Sequence, residues 1–258
     1  MSLLPNRPSS RAILSGSFIL YLAVATLWLA GCGGDQGRDV RDYYFPLQSL
    51  DEGLVYEYRP IADSLAGPNY WYYRSIKTDS AIYLAGAYYE ADFTPTQIVR
   101  EELVSNGMLL NDLFLFETDT SGKQQQVKAE VLSGSVFPFS VRDSNDIYLY
   151  KVRFQMPSQL NGATTLIVNR RFMGDTSVVF QGKTYDAVRF GLKGVVEVRD
   201  SINGDIEPAF TGHEIYAHKI GLFSYRRNYG GAVMQYQLHD RYPMTQLEKM
   251  SRKTLEKK

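Results

Sequence analysis

Cysteine is almost absent from this chain: its 258 residues include one, Cys32. An internal disulfide is therefore excluded, and so is any metal or redox site built from several thiolates. Histidine is scarce too, with only His213, His218 and His239. Neither sign of charge is in excess, because 28 Lys and Arg stand against 28 Asp and Glu. The chain thus offers no electrostatic footprint for a nucleic acid or another polyanion. Phosphate loops and dinucleotide fingerprints are missing, and no Gly-x-Ser-x-Gly elbow follows Cys32. The interior also lacks any long stretch with helical periodicity and caps.

The first 32 residues are distinctive. The opening carries only Arg7 and Arg11 as charges, and Ala12 to Leu29 is an uncharged, mostly apolar run. A positive start, an apolar middle and small residues at the end make a secretory signal peptide. The run is also near the minimum length for a membrane-spanning helix, so an uncleaved signal anchor is the rival. The ending decides between them. Leu29-Ala30-Gly31-Cys32 resembles the lipobox of bacterial lipoproteins. That resemblance implies a diacylglyceryl group on the Cys32 thiol and cleavage before it. Two or more acyl chains give a stable membrane anchor, whereas one gives marginal binding.

Residues 1–31 are thus expected to be a cleaved signal, with the lipidated Cys32 and a short tether following to residue 42. Arg7 and Arg11 leave with the signal, so the remainder stays near neutral. An Asp directly after the Cys resembles the inner-membrane retention signal of Gram-negative lipoproteins. Gly33 holds that place, which favours the outer membrane. A surface-export signal would call for an acidic cluster, and Asp35 alone is a poor match, so the periplasmic face is expected.

The body reads as antiparallel β. Apolar and β-branched runs are separated by hairpin signals such as Asn106-Gly107, Gln181-Gly182, Asn203-Gly204 and Gly230-Gly231. Expected strands include Leu54–Tyr58, Tyr70–Ile76, Ile147–Phe154, Thr164–Phe172, Ser177–Phe180, Tyr185–Phe190, Val195–Arg199 and Val233–Leu238. This predicts one all-β domain over 43–243, an antiparallel sandwich or a curled, half-barrel-like sheet. The 19 Tyr and 13 Phe suit a β core with cross-strand aromatic pairs. Residues 244–258 form a basic tail, helical or disordered. Leu247, Met250 and Leu255 share one helical face among five basic residues, so a helix on anionic lipid is one reading and a frayed end the other.

Tyr44-Phe45-Pro46-Leu47, followed by Gly53-Leu54-Val55-Tyr56-Glu57-Tyr58, resembles the opening of many uncharacterised β-rich Bacteroidota lipoproteins. Tyr216-Ala217-His218-Lys219-Ile220-Gly221-Leu222-Phe223 resembles their aromatic-Ala-x-Gly-Ile-Gly-Leu-Val segment. His218-Lys219 replaces the usual pair, and the usual Gly-Asn-x-Trp after Leu47 is missing. The resemblance spans about 40 residues and implies a β-rich periplasmic domain without known chemistry.

Candidate chemistry is thin. His213 and His218 are five apart, whereas a zinc-protease helix needs four, and in a strand they face opposite sides. Asp200 to Glu207 is an oxygen-rich turn, but aligning Gly204 with a calcium-loop Gly puts Arg199 at a ligand place. Asp143-Ser144-Asn145-Asp146 is a second such turn. Glu101 and Glu102 are neighbours on a strand and so face opposite ways, which is poor geometry for a carboxylate pair. No catalytic residue, cofactor or metal site is expected, and Cys32 with Leu29, Ala30 and Gly31 is the one assigned site. The leading expectation is a non-catalytic, outer-membrane-anchored lipoprotein that binds or scaffolds an envelope component. The membrane is its partner through the lipid, and no nucleic acid is. A lipid or lipoprotein carrier with an apolar cavity is the alternative, and an envelope hydrolase the third reading.

Overall fold

The structure is a computed structural model that describes residues 37–256, except 62–65, 120, 143–145, 160, 161 and 203. Cys32, Leu29, Ala30, Gly31 and the expected signal helix lie outside the described residues, as does the Asp143–Asn145 part of the second turn. Residues from Gly37 onward form a compact unit of their own.

A short strand β1 (Arg38–Asp39) leads through 3-10 turns at Arg41–Tyr43 and Leu47–Ser49 into a meander. Its first half is β2 (Leu54–Pro60), β3 (Asn69–Lys77), β4 (Ile82–Tyr89), β5 (Pro95–Val104) and β6 (Gly107–Thr118). Next come β7 (Gln124–Lys128) and β8 (Glu130–Pro138), which pair with the two ends of β6 like one strand broken at Ala129. A two-residue strand β9 (Ser140–Val141) pairs with β1. The second half is β10 (Tyr148–Phe154), β11 (Gly162–Phe180), β12 (Lys183–Asp200), β13 (Ala209–Ala217), β14 (Gly221–Tyr229) and β15 (Ala232–Tyr242). Helix α1 (Met244–Leu255) follows.

Every pairing is antiparallel, and almost every strand lies beside its neighbours in sequence. The exception closes the structure. The last strand, β15, pairs with the first of the meander, β2, in the register Tyr236↔Pro60, Leu238↔Tyr58 and Tyr242↔Val55. The sheet is therefore a closed barrel of 12 strands, which corrects both the sandwich and the half-barrel. Closure pairs the edges that an open sheet would leave bare. Curvature comes partly from bulges. In β11 the pairing with β12 slips between Phe172 and Gly174, where Gly174 takes φ +107°. The strand bends there without ending, so the expected runs Thr164–Phe172 and Ser177–Phe180 are one 19-residue strand. Gln181 and Gly182, with φ of 49° and 76°, form the tight turn into β12.

Most inward positions are aromatic or aliphatic and most charges point out. On β11 and β12, Val168, Leu192 and Phe190 are buried, while Arg171, Arg189 and Lys193 are exposed. This is the reverse of a membrane-spanning barrel, whose outer face carries an apolar band. One end is filled by the segment before β2. Val40, Tyr44, Phe45 and Leu50 are buried there, and backbone bonds from Val40 to Phe139 and from Lys219 to Asp42 hold it. Tyr56 and Tyr58 donate to the carbonyls of Ile220 and Leu222, tying β2 to the start of β14.

The tail is helical. Its Leu247 is buried on the barrel's outside with Val55, Tyr70 and Tyr242, and Met244 and Met250 pack alongside. The apolar face expected for lipid or solvent thus covers the closing seam. Beneath it the buried Glu57 accepts from the Tyr242 hydroxyl at 2.9 Å and from Arg59 at 2.7 Å.

Candidate binding lumen

The side chains inside the barrel leave a cavity of about 500 Å³. That volume lies within the range of small-molecule sites. Tyr44 and Phe45 of the plugging segment form one wall, and they also border a second cavity of about 520 Å³ framed by Arg41, Lys77 and Lys219. The first cavity is the better candidate, because residues from at least nine strands face it and buried charge lies within it.

Its wall is mostly apolar and aromatic, with Trp71, Tyr88, Leu166, Phe210 and Met234 among the contributors. Trp71 stacks on Tyr73 with centroids 5.4 Å apart and planes 4° from parallel. Four charged side chains interrupt this surface: Glu101 from β5, Arg170 from β11, Glu214 from β13 and Arg227 from β14.

The sheet register explains three of them. Arg170 pairs with Leu192, Leu192 with Gly212, and Gly212 with Arg227. The two arginines are thus on one rung, with no side chain from Gly212 between them. Glu214 lies two residues along β13 on the same face and bridges both. Arg170 donates to it from Nε at 3.0 Å and from Nη2 at 3.4 Å, and Arg227 donates from Nη2 at 2.7 Å. The Tyr216 hydroxyl adds a fourth donor at 3.1 Å. Burial pushes the Glu214 carboxyl up, but the two guanidiniums outweigh it and hold the group at about 2. Burial likewise opposes the charge on Arg170, and Glu214 more than restores it. Arg227 also reaches the Arg226 carbonyl through Nη1 at 3.1 Å. Arg170 Nη1, by contrast, is buried without a hydrogen-bond partner.

Glu101 is different. Its partner is the Tyr44 hydroxyl from the plug. Burial pushes its carboxyl up to about 7, against the Tyr44 bond and the field of Arg170, with Glu214 adding to the rise. The same burial and the nearby Glu101 raise the Tyr44 hydroxyl far above its ordinary range, so it stays a donor. The lumen thus holds two carboxyls in opposite states near neutral pH, one fixed as an anion and one close to its midpoint.

Glu101 and Glu102 do face opposite ways; the inward Glu101 acts with Tyr44, 57 residues earlier, and not with Glu102. His213 lies on β13, and His218 is in the turn after it rather than in a strand, 3.6 Å from Asp42. Burial, then Arg189 and Arg226, lowers the His213 imidazole. Near Gly204, Arg199 bonds Asp205 at 3.0 Å and Glu207 at 2.6 Å, so the arginine that spoiled a calcium ligand set pairs with the acids of that turn. Sequence reasoning missed Arg170, Glu214 and Arg227. The signal was a charged residue at an inward position of an alternating strand, as in Val168-x-Arg170 and Glu214-x-Tyr216.

No family model and no curated protein matches the chain. Three solved structures do. An exported protein of Bacteroides fragilis, described as having a YmcC-like fold, is 15% identical, with 77% of this chain and 98% of that one covered at a TM-score of 0.50. A protein of Parabacteroides distasonis, provisionally described as a lipoprotein, is 13% identical, with 78% and 98% covered at 0.49. The hypothetical lipoprotein YmcC of Escherichia coli is 9% identical, with 90% and 96% covered at 0.34. The first likeness shows a shared fold. It agrees with the resemblance to β-rich Bacteroidota lipoproteins carried by Tyr44–Leu47 and Tyr216–Phe223.

Proposed function

We propose that this protein is a non-catalytic lipoprotein of the bacterial envelope, anchored at the outer membrane through Cys32, whose barrel holds a small molecule in its lumen. The cavity of about 500 Å³ between aromatic walls carries the binding part of this reading. An open interior favours a carrier or sensor of a ligand over a scaffold, because a scaffold needs only a filled core and an outer patch. The anchor rests on the lipobox and on Gly33.

Two measurements test it. Native mass spectrometry of protein taken gently from the envelope is expected to show a bound small molecule of constant mass. Protein of bare polypeptide mass, after allowance for its own lipid, opposes the lumen reading. Replacing Cys32 with Ser is expected to abolish acyl labelling and release the protein from membranes. A Cys32→Ser protein that still takes up label or stays membrane-bound opposes the anchor.

A further inference from the structure

We infer that the lumen ligand is an amphipathic molecule with one anionic group, carboxylate or phosphate, bound by Arg170 with its apolar body along the Trp71–Phe210 wall. This rests on the lumen-binding reading and adds the chemistry of the ligand.

The first observation is Arg170 Nη1. The other donor nitrogens of this guanidinium, Nε and Nη2, serve Glu214, while Nη1 is buried with no partner. Buried donors are almost always paired, and leaving one bare costs more than the average hydrogen bond returns. A fork with a spare N–H suits an oxyanion, because a guanidinium donates and never accepts. The second observation is charge balance. Two arginines face the lumen against one fixed carboxylate, Glu214, while Glu101, close to its midpoint, offsets the second arginine only in part. The positive charge that remains on a mostly apolar wall suits one anion. The third is the rest of the wall. Trp71, Leu166, Phe210 and Met234 offer apolar surface and no further cation, so a second anionic group on the ligand would lie bare.

These features exclude other classes. A cation would meet the field of two arginines. A polyanion would leave charges unpaired, and a neutral sugar could accept from Nη1 through a hydroxyl but would leave the positive charge unbalanced.

Trp71 supplies the probe. The other tryptophan of the chain, Trp28, is in the signal segment, so residues 33–258 carry a single, lumen-facing indole. The barrel closes through its own first and last meander strands, so this stretch contains the whole described fold. Trp71 emission is followed while the protein is titrated, below micellar concentration, with dodecanoate, dodecyl phosphate, dodecanol and dodecyltrimethylammonium. At least one of the two anions is expected to bind roughly tenfold to a hundredfold tighter than dodecanol, the span of a buried charge-assisted hydrogen bond. Which anion is tighter distinguishes a carboxylate from a phosphate head. Shortening the better anion by one methylene is expected to weaken it by about fourfold. Arg170→Lys, which keeps the charge and removes the fork, is expected to erase most of the preference for the anion over the alcohol. If dodecanol or the ammonium binds as tightly as both anions, the anionic assignment is overturned and the lumen reading stands. If none of the four changes Trp71 emission, both fall.

Discussion

The two lumen-facing carboxyls, Glu214 and Glu101, share one barrel interior, yet they are held in opposite ways. Glu214 has two arginines and a tyrosine hydroxyl about it and sits at about 2. Glu101 has one tyrosine hydroxyl and sits at about 7. Burial pushes both upward, so the partners make the difference, and the partners come from strand register. The rung that aligns Arg170 with Arg227 charges one side of the lumen permanently. The plug that brings Tyr44 to Glu101 leaves the other side adjustable.

The largest effect is expected from Glu214→Gln. It leaves two largely buried guanidiniums without their anion, and the urea midpoint is expected to fall by an amount equivalent to about 3 kcal/mol. A loss below 1 kcal/mol would mean that water already compensates this rung and that the contrast with Glu101 is false.

Glu101 gives the pH-dependent half of the comparison. Its folded value lies above the unfolded one, so between the ordinary carboxylate range and about 7 the folded protein keeps a proton that the unfolded chain releases. Stability therefore falls as pH rises through that window and levels off above it. Glu101→Gln removes this penalty. It is expected to stabilise the protein by on the order of 2 kcal/mol at pH 8 and by almost nothing at pH 4. Urea titrations at both pH values read the difference directly. For Glu214 the sign reverses: its contribution is complete above the ordinary carboxylate range and is lost as pH falls toward 2.

Tyr44→Phe sharpens the plug side. It removes the hydroxyl that donates to Glu101, and a loss of about 1–2 kcal/mol is expected at pH 8. The loss should shrink when Glu101→Gln is already present, which a double-mutant cycle measures. The smallest effect is expected at Lys219, whose φ of +59° is strained for a side-chain-bearing residue. Lys219→Gly is expected to raise the melting temperature, equivalent to about 1 kcal/mol, without altering either carboxyl.

That position also shows what the sequence made legible. The segment that Tyr216–Phe223 resembles has Gly where this chain has Lys219, and the left-handed turn there suits a glycine. The two resembling segments, Tyr44–Leu47 and Tyr216–Phe223, are far apart in the chain but meet in space. Tyr44 and Tyr216 stack at 6.5 Å, and the Phe45 ring lies so close over Gly221 that a β-carbon there would clash. Strand runs and turns were readable because alternation and hairpin residues are local signals. Closure was not. It depends on β15 finding β2 about 180 residues away, and inward alternation looks the same in a sandwich and in a barrel. Strands divided at Gly174 failed for a related reason, since a glycine that bulges a strand resembles one that ends it. The charged rung was hidden because Arg170, Glu214 and Arg227 lie on three strands, and only register aligns them.

The most direct test is where an acyl chain goes. Residues 33–258 crystallised with 12-bromododecanoate should show an anomalous bromine peak inside the barrel beside Trp71, with the carboxylate within hydrogen-bond distance of Arg170 Nη1. A fully bound ligand whose bromine lies on the outer surface, or an interior that stays free of it at saturating concentration, would contradict a ligand-holding lumen.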